Sequence, residues 1–145
     1  IVTDDTIYVF DAWGATGYTN DMIARAIADR GYAKSTIICD SAEQKSIAEL
    51  RQHGIIRAQE AIKGQHSIIN GIKKVSEYDI VVAPCCKAVI EELQNYAWAK
   101  DRRTGEYIEQ PIDQYNHYLD ALRYSLQCVT NNHKPKFYPK SYLGI

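Results

Sequence analysis

A chain of 145 residues, 46% hydrophobic and 24% charged, is long enough for one domain with a buried core. Its net charge of -1 excludes a globally basic protein that coats nucleic acid. No apolar stretch reaches the length of a membrane span.

In chain order, the opening carries Asp4 and Asp5 where a signal peptide has a basic end and an apolar run. It also has no initiator Met, so the chain is expected to be a piece of a longer one. Thr6 to Phe10 (TIYVF) is rich in β-branched and aromatic residues and predicts a strand. Thr19 or Asn20 can cap a helix through Ala28, with Met22, Ile23, Ala26 and Ile27 on one stripe and Gly31 at its end. Ser35 to Asp40 (STIICD) reads as a short buried strand. Ser41 caps the next helix and Gln44 completes a capping box; that helix carries Ile47, Ala48 and Leu50 and stops at Gly54. Ile55 to Ala61 is a third strand. His66 to Val75 predicts a helix with Ile68, Ile69 and Ile72 facing inward, Asp79 to Ala83 a strand closed by Pro84, and Lys87 to Tyr96 a further helix. Arg102 to Gly105 form a polar turn before Glu106 to Gln110, which is a hairpin pattern. Pro111 and Asp113 open a last helix that reaches about Val129. Residues 131–145, with Pro135, Pro139 and no hydrophobic period, read as a tail. Strands alternating with helices predict one α/β domain over residues 1–130 with a mainly parallel sheet.

Cys39, Cys85, Cys86 and Cys128 contain no CxxC pair, and the adjacent Cys85 and Cys86 suit neither a zinc site nor an easy disulfide. Cys39 and Cys128 lie in apolar runs and are expected to be buried fillers, a usage that fits a reducing cytosol. Lys100, Arg102 and Arg103 form one basic cluster, and Lys134, Lys136 and Lys140 another. On composition alone each is more often a solvated face or a tail than a nucleic-acid contact. The 11 tyrosines are read as half-buried packing residues rather than base-stacking platforms.

Asp40 closes a strand directly before a helix. In open α/β sheets the ligand crevice lies at the carboxyl ends of strands, so this carboxylate is placed to hold a metal or act on a substrate; equally, it can share helix capping with Ser41. On the last helix, about 100° per residue puts Asp113, His117, Asp120 and Tyr124 within a sector of roughly 60°. Leu119, Leu122, Leu126 and Val129 lie on the opposite side. His117 and Asp120 can point into one site and share a divalent metal, although a solvated polar face has the same pattern. Asp113, just after Pro111, is expected to be the N-terminal cap. Lys63 and Gly64 offer a cation for a phosphate and room for close backbone approach, or simply a turn. Glu43 is explained by the macrodipole of its helix. No GxxxxGK[ST] loop occurs, so ATP hydrolysis is not expected.

The segment DSAEQKSI from Asp40 to Ile47, with Glu49 and Leu50 after it, resembles the DSAEPKSI-x-EL motif of phage terminase large subunits; Gln44 departs where the family often has proline. Ala61, Ile62, Lys63 and Gly64, then Ser67, Ile68, Gly71 and Ile72, are similar to its A-x-KG-x-x-SI-x-x-GI segment. Glu92 and Leu93 with Tyr96 and Trp98 resemble EL-x-x-Y-x-W. Pro111, Asp113, Asn116, His117, Asp120, Ala121, Arg123 and Tyr124 resemble P-x-D-x-x-NH-x-x-DA-x-RY. The matches occur in order between Tyr8 and Leu126.

The resemblance implies an RNase H-like three-layer fold, with a mixed, mainly parallel sheet flanked by helices, that hydrolyses DNA phosphodiesters. It also implies two divalent cations, Mn²⁺ or Mg²⁺, held by acidic residues from the first strand, a later strand and the last helix. Asp40 matches the second position and would bridge the ions. His117 and Asp120 match the third, His117 either as a ligand or as a support for Asp120. The first-strand aspartate has no counterpart, because the chain opens at what looks like the family's second strand, and Asp4, Asp5 and Asp11 do not match it. Lys63 is the first candidate for a phosphate contact, with Arg102 and Arg103 on the hairpin further out. Implied partners are double-stranded DNA, the terminase ATPase domain, the small terminase subunit and the portal, with no membrane, in the host cytoplasm. Two alternatives stay open, and a third, an unrelated α/β phosphate-handling enzyme, lacks any Gly-rich loop here. One is an inactive RNase H-like module that docks the motor or portal. The other is a different RNase H-like nuclease such as a junction resolvase, which the AxKG and NHxxDAxRY segments argue against.

Overall fold

The computed structural model describes residues 1–40 and 44–129. The predicted alternation is present: β1 (Thr6–Val9), α1 (Asn20–Asp29), β2 (Ile37–Cys39), α2 (Gln44–Gln52), β3 (Ala58–Glu60), α3 (Ser67–Val75), β4 (Asp79–Val82), α4 (Lys87–Asn95), β5 (Trp98–Lys100), β6 (Tyr107–Pro111) and α5 (His117–Ser125), closed by a 3-10 turn at Leu126–Cys128. Gly31 and Gly54 follow α1 and α2 with φ of 84° and 95°, the left-handed conformation that ends a helix and that glycine adopts without a Cβ penalty. Ser41, the proposed cap, lies outside the described residues, as do Glu43 and the tail, while the side-chain amide of Gln44 donates to Glu60 at 3.2 Å.

Both strand pairs joined through helices are parallel. Thr6 of β1 lies opposite Asp79 of β4, and Ile37 of β2 opposite Ala58 of β3. The hairpin β5–β6 is antiparallel. Among the described residues the strands form three separate pairs rather than one continuous sheet. The second edge of β1 is taken by the chain start, which folds back so that Val2 faces Ile7 in an antiparallel bridge. There Ile1 and Tyr8 exchange two hydrogen bonds.

Two apolar clusters hold these pieces together. The first joins Ala24 of α1, Ile47 and Leu50 of α2, and Ile55 and Ala58, with Ile37 and Cys39 of β2 packed against it. Ile38, between them in sequence, lines a cleft with residues of α5. Successive strand side chains point to opposite faces, so β2 is sandwiched between α1–α2 and α5, which gives the three layers. The second cluster joins Ile7 of β1, Tyr78 and Leu126, with Val75, Leu122 and Val129 against it.

Some residues expected inside are not. Met22 is exposed because α1 docks through Ala24, Ile23 and Ile27. Ala48 is exposed because α2 docks through Ile47 and Leu50. Ile68 lies one turn before Gly71, where α3 closes on α5, and is also exposed. Cys128, expected as a buried filler, is exposed at the end of the closing turn, whereas Cys39 is half-buried. A Cβ at Gly71 would overlap the Cγ and Cδ of Arg123.

Leu126 is 1% exposed, and Leu126→Ala is expected to lower the unfolding free energy by about 2–5 kcal/mol. Ile56 is 73% exposed, and Ile56→Ala should stay within about 0.5 kcal/mol; urea titrations separate the two. Gly71→Ala is expected to cost about 1–3 kcal/mol through overpacking. A double-mutant cycle with Arg123→Ala should show coupling between the two sites. Strict additivity would mean that the Arg123 side chain does not limit the approach of α3.

Candidate metal centre

Strand β2 ends at Cys39, so Asp40 leaves its carboxyl end beside α5. Helix α5 presents His117, Asp120 and Tyr124 along one side. With Asp113 and Asn116 these side chains line a cleft of about 460 Å³ whose floor includes Ile38. Asp40 and Asp120 therefore line one cleft although they stand far apart in the chain. Apolar burial produces this convergence: Leu122 and Leu126 fix the inner side of α5 on the β1 cluster, which leaves the polar side toward β2.

Each carboxylate carries a basic partner. Lys63, which follows β3, donates from Nζ to Asp40 Oδ1 at 2.5 Å. That hydrogen bond raises the Lys63 pKa above its ordinary value, with the Tyr124 hydroxyl and the Asp40 charge adding to the effect. Arg123 donates from Nη2 to Asp120 Oδ1 at 2.8 Å. Burial disfavours the Arg123 charge, but the bond to Asp120 and its charge outweigh this, and the pKa is raised. Both cations also meet the Tyr124 ring, at 5.6 Å for Lys63 and 4.6 Å for Arg123. The two pairs differ in kind. Lys63 and Asp40 are well exposed, and such a pair contributes at most about 1 kcal/mol. The side chain of Arg123 is 5% exposed, and a buried guanidinium without a partner would be strongly destabilising.

Helix α5 starts later than its sequence suggests. Asp113 was expected at its N-terminal cap, but α5 begins at His117 and the cap position is Asn116. Tyr115 takes a left-handed backbone (φ 55°), so the chain reverses sharply just before the helix. Asp113 instead accepts a hydrogen bond from Asn116 Nδ2 at 3.4 Å and still lines the cleft. The first turn is satisfied from another element. Glu92 of α4 accepts from the backbone N–H of Tyr118 at 2.8 Å and of Leu119 at 3.0 Å. Sequence reasoning saw Glu92 only as part of a motif. Its signal was position: it stands three residues after Val89, on the buried stripe of α4, where an unpaired acid is not tolerated.

A second cleft, of about 680 Å³, adjoins the first and shares His117 and Ala121 with it. It is lined by Trp13 to Thr16 of the β1–α1 loop, to which no role was assigned from sequence. Arg102 and Arg103 lie in the exposed turn of the β5–β6 hairpin and do not line the cleft. That turn is organised by Asp101, whose Oδ1 accepts from the backbone of Arg103 and Thr104.

The donor set suits a hard divalent cation: carboxylate oxygens with one imidazole nitrogen. Among the described residues, no three His, Cys, Asp or Glu side chains come together closely enough to hold an ion. The types fit, and the two carboxylates face the cleft already engaged by Lys63 and Arg123.

Comparison with known proteins identifies the family. Residues 2–128 match the family model described as the terminase RNase H-like domain. The chain is 33% identical over 99 residues to the terminase large subunit of Bacillus phage SPP1, covering 66% of this chain and 23% of that protein. It is 32% identical over 121 residues to the PBSX phage terminase large subunit of Bacillus subtilis (strain 168), covering 83% of this chain and 28% of that protein. The chain thus spans about a quarter of the length of these relatives. Its fold is similar to the crystal structure of the g2p (large terminase) nuclease domain of bacteriophage SPP1 with bound Mn. The TM-score is 0.79 at 30% identity, covering 86% of this chain and 71% of that one. The chain therefore belongs to the family of RNase H-like domains of phage terminase large subunits, and its fold is that of their nuclease domain.

Proposed function

We propose that this chain is a divalent-metal-dependent endodeoxyribonuclease domain that cuts concatemeric viral DNA during genome packaging. The observation that carries the reading is the convergence of Asp40 and Asp120, with His117, on one cleft in a chain of this family. The Mn bound in the similar SPP1 domain supports a divalent cation here.

Asp40, His117 and Asp120 are the residues that would hold two ions, Mn²⁺ or Mg²⁺. When bound, such ions polarise the scissile phosphate and lower the pKa of attacking water. The side chains prepare the rest. The carboxylates of Asp40 and Asp120 would offset part of the charge of the ions they hold. Lys63, beside Asp40, supplies an ammonium for a non-bridging phosphate oxygen, and contacts of this kind carry no base information. The imidazole of His117 biases the site toward Mn²⁺ over Mg²⁺. The proposed partners are double-stranded DNA, the terminase ATPase domain, the small terminase subunit and the portal, with action in the host cytoplasm. No residue assigned here stands for the first-strand aspartate that the family resemblance implies, so the protein is assayed beside the similar SPP1 nuclease domain as a positive control.

One observation favours a second reading, an inactive module that docks the motor or portal: both carboxylates are engaged by basic side chains. Nicking of supercoiled plasmid with Mn²⁺ decides between them. The nuclease reading expects the protein to nick, faster with Mn²⁺ than with Mg²⁺. Asp40→Asn and Asp120→Asn should each lower the rate by more than the roughly 100-fold typical of losing an outer-sphere partner. A protein that never nicks while the SPP1 domain does leaves the docking module.

The hairpin is tested separately. Arg102→Ala with Arg103→Ala should weaken DNA binding equally on unrelated sequences. It should also flatten the slope of log affinity against log salt by about 1.8, the value for two lost phosphate contacts. An unchanged slope removes the hairpin from the DNA interface.

A further inference from the structure

We propose that Glu92 is a positioning residue of the metal centre: from α4 it caps α5 and so sets the direction in which His117 and Asp120 face Asp40. The inference rests on the reading that these three residues hold the cations.

The first N–H groups of any helix lack partners within the helix. In α5 the side chain at the cap position does not supply one, since Asn116 makes no capping hydrogen bond and its amide is turned to Asp113. One carboxylate oxygen of Glu92 accepts from both Tyr118 and Leu119 instead. Glu92 is 6% exposed, and with Arg123 it makes up the buried charge among the described residues. A buried carboxylate without donors is strongly disfavoured, whereas one at a helix N-terminus gains both charge-assisted bonds and the favourable end of the helix dipole. Glu92 and the first turn of α5 therefore hold each other in place across two helices.

The location of the grip gives it a consequence for the site. His117 is the first residue of α5 and Asp120 lies in its first turn. Asp40 stands on a different element, just after β2. A shift of the first turn moves both helix residues together relative to Asp40. The left-handed Tyr115 immediately upstream is a conformation that a bulky residue keeps only when its surroundings enforce it. Glu92 fixes the backbone at this point, and Arg123 fixes the Asp120 side chain that projects from it.

The test uses the protein with Mn²⁺ alone, its binding read from the electron paramagnetic resonance of the free ion. Amide hydrogen exchange at Tyr118 and Leu119 is followed in parallel. Glu92→Ala is expected to weaken Mn²⁺ binding roughly 10- to 100-fold and to speed exchange at both amides. Glu92→Gln keeps an acceptor without the charge and should fall between, about threefold weaker than the parent, since neutral hydrogen bonds are roughly half as strong. A purely structural role would lower thermal stability and leave Mn²⁺ affinity at the parental value; that result in a folded Glu92→Ala protein overturns the proposal. If the Ala variant does not fold, the Gln variant decides, and parental Mn²⁺ affinity there counts against positioning. Asp120→Ala serves as the reference: if it leaves Mn²⁺ binding unchanged, the metal centre itself is refuted, and the positioning role with it. Loss of binding in Asp120→Ala with none in Glu92→Ala refutes positioning alone.

Discussion

Helix α5 must satisfy two demands that point in opposite directions, and the architecture follows from meeting both. Its inner side carries Leu122, which packs with Leu126 onto Ile7 and Tyr78. Its other side carries His117, Asp120 and Tyr124 into the cleft beside Asp40. A helix repeat of 3.6 residues separates these faces without any extra device. Burial of the apolar side therefore orients the polar one, and removing the hydrophobic contact would disperse the acidic residues as surely as mutating them. Arg123 lies on the border between the two, buried yet reaching Asp120, with Gly71 of α3 giving its stem the space it needs.

The cleft is also an electrostatic problem. Carboxylates brought together repel unless positive charge is near, and folding has to tolerate them. Lys63 and Arg123 provide that charge from two different segments, both adjoining Tyr124. The exposed Lys63–Asp40 pair is weak and exchangeable, whereas the buried Arg123–Asp120 pair is part of the core. This asymmetry fits the proposed division of labour, in which Lys63 is able to turn to a phosphate while Arg123 remains with the protein.

Much of this was legible in the sequence. Hydrophobic periodicity and glycine stops located the strands and helices, and the position of Asp40 at a strand end together with the polar stripe of α5 pointed to side chains that the fold brings to one cleft. The ordered motifs added the family. What could not be read depended on contacts between distant segments. The start of α5 was misplaced because Pro111 and Asp113 carry a local capping pattern, while the cap in use comes from Glu92. Met22, Ala48 and Ile68 satisfy the helical period yet stay outside, because each helix docks through a narrower stripe than its apolar residues allow. Cys128 was read by its neighbours in sequence, but its exposure is decided by where the closing turn ends.

Under the proposed function, in which Asp40 holds a metal ion and Lys63 meets a phosphate, the Lys63–Asp40 contact would tie two ligands together thermodynamically. An ammonium and a metal ion that compete for one carboxylate cannot be treated as independent occupants, so any anion that draws the ammonium away makes the carboxylate more receptive to the ion. Reciprocity then requires the ion to strengthen the grip on that anion by the same factor. A backbone phosphate is such an anion, and through this one lysine the proposed loading of the centre and the proposed engagement of the polymer would become mutually reinforcing.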